Sequence, residues 1–231
     1  MKIKFYGMDP LSLVDLDGML TCTIFTSACN FRCPFCHNKD LVYGQNIEEL
    51  PFDEIIDYLK LRKNVLDAVC ITGGEPTLYN DLDQVLIKIK ELGYFIKLDT
   101  NGTNPDMIKD LYERHLIDYC AMDIKNSPEK YFHTIGNIVC NMEKINQSIN
   151  YLKTSGIKYE FRTTIVKELH TLDDLIKIGE WIGNVDNYFL QKFVDHGSCI
   201  KEGFHEVNQF EIDKYLNTIK KYIPNAKIRG Y

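Results

Sequence analysis

The chain has 231 residues, 45% of them hydrophobic and 26% charged, with a formal net charge of -6, which is the composition of a globular protein able to bury one sizeable core. That charge argues against nonspecific binding to nucleic acid or anionic membrane. Residues 1–18 lack an uninterrupted apolar run with a small-residue cleavage site, and no later stretch reaches the length of a membrane span, so a cytoplasmic protein with neither nucleic acid nor membrane as partner is expected.

No low-complexity tract, Pro/Ser-rich linker or repeat interrupts the chain, and one domain over 1–231 is expected. In chain order, TCTIFT (21–26), DAVCIT (67–72), YFIKLDT (94–100), IDYCAMDI (117–124), KYEFRTTIV (158–166) and NYFLQKFV (187–194) read as strands, being short β-branched or aromatic runs. Helical patterns lie between them. Leu82, Val85, Leu86, Ile89 and Leu92 share one face, with Gly93 placed to end that helix. Met142, Ile145, Ile149 and Leu152 repeat the design before Gly156, as do Ile212, Tyr215, Leu216 and Ile219 near the end.

Strands alternating with helices predict an α/β fold around a parallel sheet of right-handed βαβ units, either open or rolled into a barrel or part-barrel. Polar residues gather where these strands end: Cys29 after the first, TGGEP after the second, DTNG after the third, DIKN after the fourth, Arg162 in the fifth. Parallel α/β folds place their sites at that end, so the clusters should converge on one mouth.

Eight cysteines are too few for a secreted disulfide scaffold of this length, and reduced thiols are expected. Cys22, Cys70 and Cys120 lie in apolar strand-like runs and read as small core hydrophobes. Cys29, Cys33 and Cys36, in CNFRCPFCHN, stand apart. A structural zinc site needs four closed ligands, which these thiols and His37 could supply, although His37 directly follows Cys36 and adjacent residues seldom both bend onto one small ion. An iron–sulfur cube normally takes four thiolates, so three in a short loop leave one iron open. In TGGEP the paired glycines admit close backbone approach and the carboxylate could accept from an ammonium, or the segment is a plain turn with a solvated Glu. LDTNG reads equally as an Asx-type turn. An Asp in an apolar strand, as in MDIK, needs a partner.

The CxxxCx(aromatic)C run resembles the signature of the radical S-adenosylmethionine enzymes. That resemblance implies a radical SAM core built as a partial (β/α)6 TIM-type barrel. It implies a 4Fe-4S cluster on Cys29, Cys33 and Cys36, whose fourth iron is chelated by S-adenosylmethionine. Phe35 would replace the aromatic whose backbone lies near the adenine, and Gly73, Gly74 and Glu75 would bind the methionine amino group. LDTNG and MDIK resemble segments of the glycyl-radical-enzyme activating enzymes, which implies Asp99, Thr100 and Asp123 at a monovalent cation, Lys125 at the cosubstrate carboxylate, and Arg162 and His196 as further contacts. The short branch that activates anaerobic ribonucleoside-triphosphate reductase is most similar, although DLDG (15–18) stands where that branch commonly has Asp-Tyr-Pro-Gly. Residues 37–69 hold no cysteine, so one cluster is implied. The implied reaction cleaves S-adenosylmethionine to a 5′-deoxyadenosyl radical, which takes a hydrogen from a glycine Cα of a partner glycyl radical enzyme; flavodoxin or ferredoxin is the implied electron donor. An activase of a pyruvate formate-lyase-type enzyme, or a small-molecule or peptide-modifying radical enzyme, would share these residues.

Overall fold

A computed structural model describes residues 2–45, 48–195 and 197–230. Eight strands form one sheet in sequence order: β1 (Phe5–Ser12), β2 (Thr21–Thr26), β3 (Ala68–Gly73), β4 (Phe95–Thr100), β5 (Tyr119–Asp123), β6 (Lys158–Ile165), β7 (Tyr188–Lys192) and β8 (Lys227–Arg229). β1 runs antiparallel to β2, and every later pair is parallel. The helices are α1 (Lys39–Tyr43), α2 (Phe52–Leu61), α3 (Leu82–Glu91), α4 (Pro105–Glu113), α5 (Tyr131–Thr134), α6 (Met142–Thr154), α7 (Leu172–Ile182) and α8 (Gln209–Ile219), with a 3₁₀ turn at Pro76–Leu78.

Sequential parallel strands joined by crossovers of one hand put every crossover helix on the same face, so the sheet curls with its other face inward. The α/β part-barrel predicted from sequence is the fold found. The predicted strands correspond to β2–β7 with ends displaced by two residues or fewer. Period-two alternation splits each strand between two environments. Ile96 and Leu98 of β4 are wholly buried against the helical layer, where Leu82, Leu86 and Ile89 of α3 meet them. Lys97 and Asp99 of the same strand point the other way and line the interior cavity. Cys22, Cys70 and Cys120 are fully buried, as expected. No helix among the described residues is long and apolar enough to cross a membrane.

Candidate active site

The cysteine loop leaves β2 and crosses the C-terminal ends of the parallel strands, held by main-chain hydrogen bonds. Ala28 N donates to Leu41 O (2.8 Å), Glu75 N to Ala28 O (2.8 Å), Gly74 N to Thr26 O (2.9 Å), Arg32 N to Ile135 O (3.0 Å), Lys201 N to Pro34 O (2.8 Å) and Ile200 N to Cys36 O (3.1 Å). A Cβ on Gly74 would lie 1.8 Å from Ala28 O, and one on Gly73, whose φ is +111°, 2.4 Å from Thr26 O. The close backbone approach that the paired glycines permit is therefore made first by the protein's own cysteine loop.

Cys29, Cys33, Phe35 and Cys36 line a cavity of about 630 Å³ together with Gly73, Gly74, Glu75, Asp99, Thr100, Asp123, Lys125 and Arg162. Five strand ends thus converge as predicted. His196 lies outside the described residues. Burial pushes the Cys29 thiol up to about 12 and Cys33 to about 11, and it raises Cys36 as well. Such thiols stay protonated until a metal centre draws the protons off. Among the described residues no group of three or more Cys, His, Asp or Glu side chains is drawn together closely enough to hold a metal ion. His37 stacks on Phe193 at 5.2 Å, and Phe35 meets the same ring edge-on at 6.3 Å. Cys199, to which the sequence assigns no role, donates its thiol to Phe35 O (3.4 Å).

Glu75 is buried and caps the 3₁₀ turn. Its Oε1 accepts from Thr77 N (3.1 Å), Thr77 Oγ1 (2.6 Å) and Thr100 Oγ1 (2.7 Å), and its Oε2 accepts from Asn101 N (2.7 Å). Only Oε2 keeps room for another donor. Sequence reasoning passed over Asn30, Asn101 and Thr103, which close a ring beside Cys29. Asn101 Nδ2 donates to Asn30 Oδ1 (2.7 Å), Asn30 Nδ2 to Thr103 Oγ1 (2.9 Å) and Thr103 Oγ1 to Asn101 Oδ1 (2.7 Å). The available signal was the place of Asn30 and Asn101 inside the two motifs, with Thr103 directly after LDTNG.

The far wall is ionic. Arg162 Nη1 bonds Asp99 Oδ2 (2.8 Å), and its Nε bonds Asp123 Oδ1 (2.9 Å). Lys125 Nζ bonds Asp123 Oδ2 (2.8 Å), and Lys97 Nζ faces Asp99 Oδ1 at 3.2 Å. Glu160 joins through Lys97 (3.9 Å), Arg162 (3.8 Å) and both Nη atoms of Arg229 (2.8 and 3.0 Å). Burial works against ionisation of Asp123, but Arg162 and Lys125 hold it down to about 2; Arg162 and Lys97 likewise keep Asp99 below the usual range. Burial disfavours charge on Lys125 too, yet Asp123 carries its pKa above the ordinary lysine value. Lys97, Glu160 and Arg229 are additions to the residues singled out from sequence; single charges within apolar strands were their only mark. Asp15, from the DLDG segment, accepts from Thr23 Oγ1 (2.5 Å), and its carbonyl accepts from Lys97 Nζ.

Asp99 Oδ2 and both oxygens of Asp123 take hydrogen bonds from Arg162 or Lys125, Thr100 Oγ1 is shared between Glu75 and Gly102 N (3.1 Å), and Asp99 Oδ1, 3.2 Å from Lys97 Nζ, is buried without a hydrogen-bond partner. Lys125 is itself positioned through its main chain. Val166 N donates to His170 Nδ1 (3.1 Å), which places the proton on Nε2, and Nε2 donates to Lys125 O (3.0 Å).

Residues 23–182 match the sequence profile of the Radical SAM superfamily. The chain is 33% identical to a Methanocaldococcus jannaschii protein provisionally named a glycyl-radical enzyme activating enzyme, over 99% of this chain and 97% of that one. It is 28% identical to the pyruvate formate-lyase-activating enzyme of Staphylococcus aureus, over 84% and 80% of the two chains. Among solved structures, SuiB of Streptococcus suis bound to S-adenosylmethionine aligns with a TM-score of 0.65 at 17% identity; the alignment covers 88% of this chain but only 48% of SuiB. A domain of pyruvate-formate lyase-activating enzyme from Bacteroides vulgatus aligns with a TM-score of 0.57 at 16% identity, over 71% and 99% of the two chains. At those identities the structural likeness is one of fold.

Proposed function

The chain belongs to the radical S-adenosylmethionine superfamily, and within it we propose an activase that takes a hydrogen atom from a glycine Cα of a partner glycyl radical enzyme, foremost an anaerobic ribonucleoside-triphosphate reductase. Its 231 residues act as one cytoplasmic unit, and a flavodoxin or ferredoxin donates the electron. The observation that carries this reading is the meeting of Cys29, Cys33, Cys36, Glu75, Lys125 and Arg162 around one cavity of about 630 Å³. A bound 4Fe-4S cluster supplies the electron that splits S-adenosylmethionine into methionine and a 5′-deoxyadenosyl radical.

The chain's own part is to ligate, orient and shield. Cys29, Cys33 and Cys36 hold the cluster. Lys125, with Arg162 behind it, presents positive charge to the cosubstrate carboxylate. Glu75 Oε2 and the main chain of Gly73 and Gly74 receive the amino group, while Phe35 lies toward the adenine. His196 is proposed as a further cosubstrate contact. Fixing these groups on strand ends preorganises the reacting carbon, where small displacements cost rate steeply. Asp99, Thr100 and Asp123 would hold a monovalent cation beside the cosubstrate carboxylate, the unpartnered buried Asp99 Oδ1 among its ligands.

Anaerobic reconstitution should give about four irons per chain, with an electron paramagnetic resonance spectrum that changes when S-adenosylmethionine is added. Reductive cleavage with the reductase present should then produce a protein-borne glycyl radical signal. Bound zinc with no response to S-adenosylmethionine would refute the reading. The likeness to the Staphylococcus aureus protein favours, as a second reading, an activase of a pyruvate formate-lyase-type enzyme; the glycyl signal, tested with each partner, decides between them.

A further inference from the structure

The short helix α5 lies against the cysteine loop. Ile135 N donates to Tyr131 O (3.0 Å), and Ile135 O accepts from Arg32 N (3.0 Å), so a single residue ties the helix to the position before Cys33. The Tyr131 side chain is only 1% exposed. Its ring meets Phe31 of the cysteine loop edge-on at 6.4 Å and Trp181 of α7 edge-on at 6.0 Å. Wedged between these rings, Tyr131 cannot swing its hydroxyl out to water.

That hydroxyl is buried without a hydrogen-bond partner. Burial pushes its pKa above the ordinary phenol range; the Lys125 ammonium and main-chain N–H face it and counter this, while Cys140 and Cys33 stand within electrostatic reach and add to it. The N–H groups of Lys125 can only donate, so the phenol's own proton lacks an acceptor however closely they approach. An unmatched buried donor weakens a fold, and a native chain keeps one where a bound group completes it. Burial also raises the Cys140 thiol, which therefore stays protonated, and a neutral thiol accepts only weakly. Cys33 is a thiol only until it ligates a metal centre; as a thiolate its sulfur is a far stronger acceptor.

We infer that the Tyr131 hydroxyl is held in reserve for the loaded site, where it donates a hydrogen bond to the Cys33 sulfur and eases reduction of the cluster. Reduction adds one negative charge, so a donor on a ligand sulfur stabilises the reduced form more than the oxidised one and raises the potential at which the electron enters. The inference rests on the proposed function for the cluster on Cys33. Because α5 and two aromatic rings fix Tyr131 beforehand, the donor waits in place while the sulfur changes from thiol to thiolate.

Potentiometric titration of the anaerobically reconstituted protein, read by electron paramagnetic resonance, tests this in wild type and in Tyr131→Phe. Poised at the wild-type midpoint, Tyr131→Phe should show a ratio of reduced to oxidised cluster lower by about three-fold or more, a ten-fold fall being about 59 mV for one electron. A smaller fall, or a rise, overturns the inference. Calorimetry of the unloaded chains gives a second readout, because a hydroxyl without a partner contributes nothing to them: Tyr131→Phe should melt no more than about 2 °C below wild type. A larger drop would show the hydroxyl bonded within the chain and would overturn the inference even where the variant fails to load. A wild type that takes up no cluster strikes the proposed function and the inference with it, whereas a normal cluster whose potential ignores the substitution strikes the inference alone.

Discussion

Gly74→Ala places a methyl where the cysteine loop already runs. Its Cβ would lie 1.8 Å from Ala28 O, 2.6 Å from Ala28 C and 3.0 Å from Ser27 C. All three are main-chain atoms, so no side chain can swing aside. The loop must move, and with it the bond from Glu75 N to Ala28 O (2.8 Å). Overpacking costs about 1–3 kcal/mol, and a lost main-chain hydrogen bond adds about 1 kcal/mol. A chain of this size loses about 2–4 °C of melting temperature per kcal/mol, so a fall of roughly 5–15 °C is expected. Cys29 follows Ala28 directly, and the iron retained after reconstitution should fall as well. Gly93→Ala is the control: φ there is +87° with nothing within 4 Å of the added carbon, so it should cost only the left-handed strain of about 1–2 kcal/mol and leave the iron unchanged. Scanning calorimetry of the unloaded proteins and iron analysis of the loaded ones would check both. Gly74→Ala melting within about 2 °C of wild type and retaining full iron would refute the close-packing argument.

Glu75→Gln keeps the shape but turns an NH₂ toward a donor, most simply Asn101 N, leaving it unsatisfied at a cost of about 1–3 kcal/mol; a melting temperature equal to wild type would show that the four-donor arrangement is unimportant. Serine at Cys29, Cys33 or Cys36 should abolish the iron–sulfur absorbance, whereas Cys140→Ser and Cys199→Ser should retain about four irons; loss of iron in Cys199→Ser would break the three-ligand assignment. Burial lowers the pKa of His170 below 6.5, and its main-chain bonds do not offset this. The folded chain therefore favours neutral His170: its stabilisation is fully present above the unfolded value of about 6.5 and is lost as pH falls toward the folded one. Denaturation midpoints should accordingly drop as pH falls below about 6.5, less so in His170→Gln; parallel profiles would rule His170 out as the source.

The six inner strands were legible because β-branched and aromatic runs suit a sheet buried on both faces. β1 was not, since FYGMDPLS carries Gly7, Asp9 and Pro10 and is held as an antiparallel edge. β8, only three residues long, offers no pattern at all. Cysteine spacing survives any folding and could be read directly. The ionic wall could not, because Lys97, Glu160 and Arg229 are isolated in sequence and only strand register brings them to Asp99 and Arg162. Sequence did show that Asp123 needed a partner. The partner the chain itself supplies is Arg162, its neighbour across the ladder.

The hydrogen bonds that hold the cysteine loop join main-chain atoms of Ala28, Arg32, Pro34 and Cys36 to those of Leu41, Glu75, Ile135, Ile200 and Lys201. A bond between peptide groups is indifferent to the side chain each residue carries. The mould that shapes the loop is thus written with little reference to residue identity at Ile200 and Lys201, where mutation can change the side chain while the cast survives. Gly73, Gly74 and Gly136 are the exceptions, the last because a Cβ there would lie 2.1 Å from Arg32 O. Drift in this lineage should therefore pool at positions 200 and 201 and halt at those three glycines. A loop so anchored could be grafted between distant relatives by transferring its peptide geometry and the glycines alone.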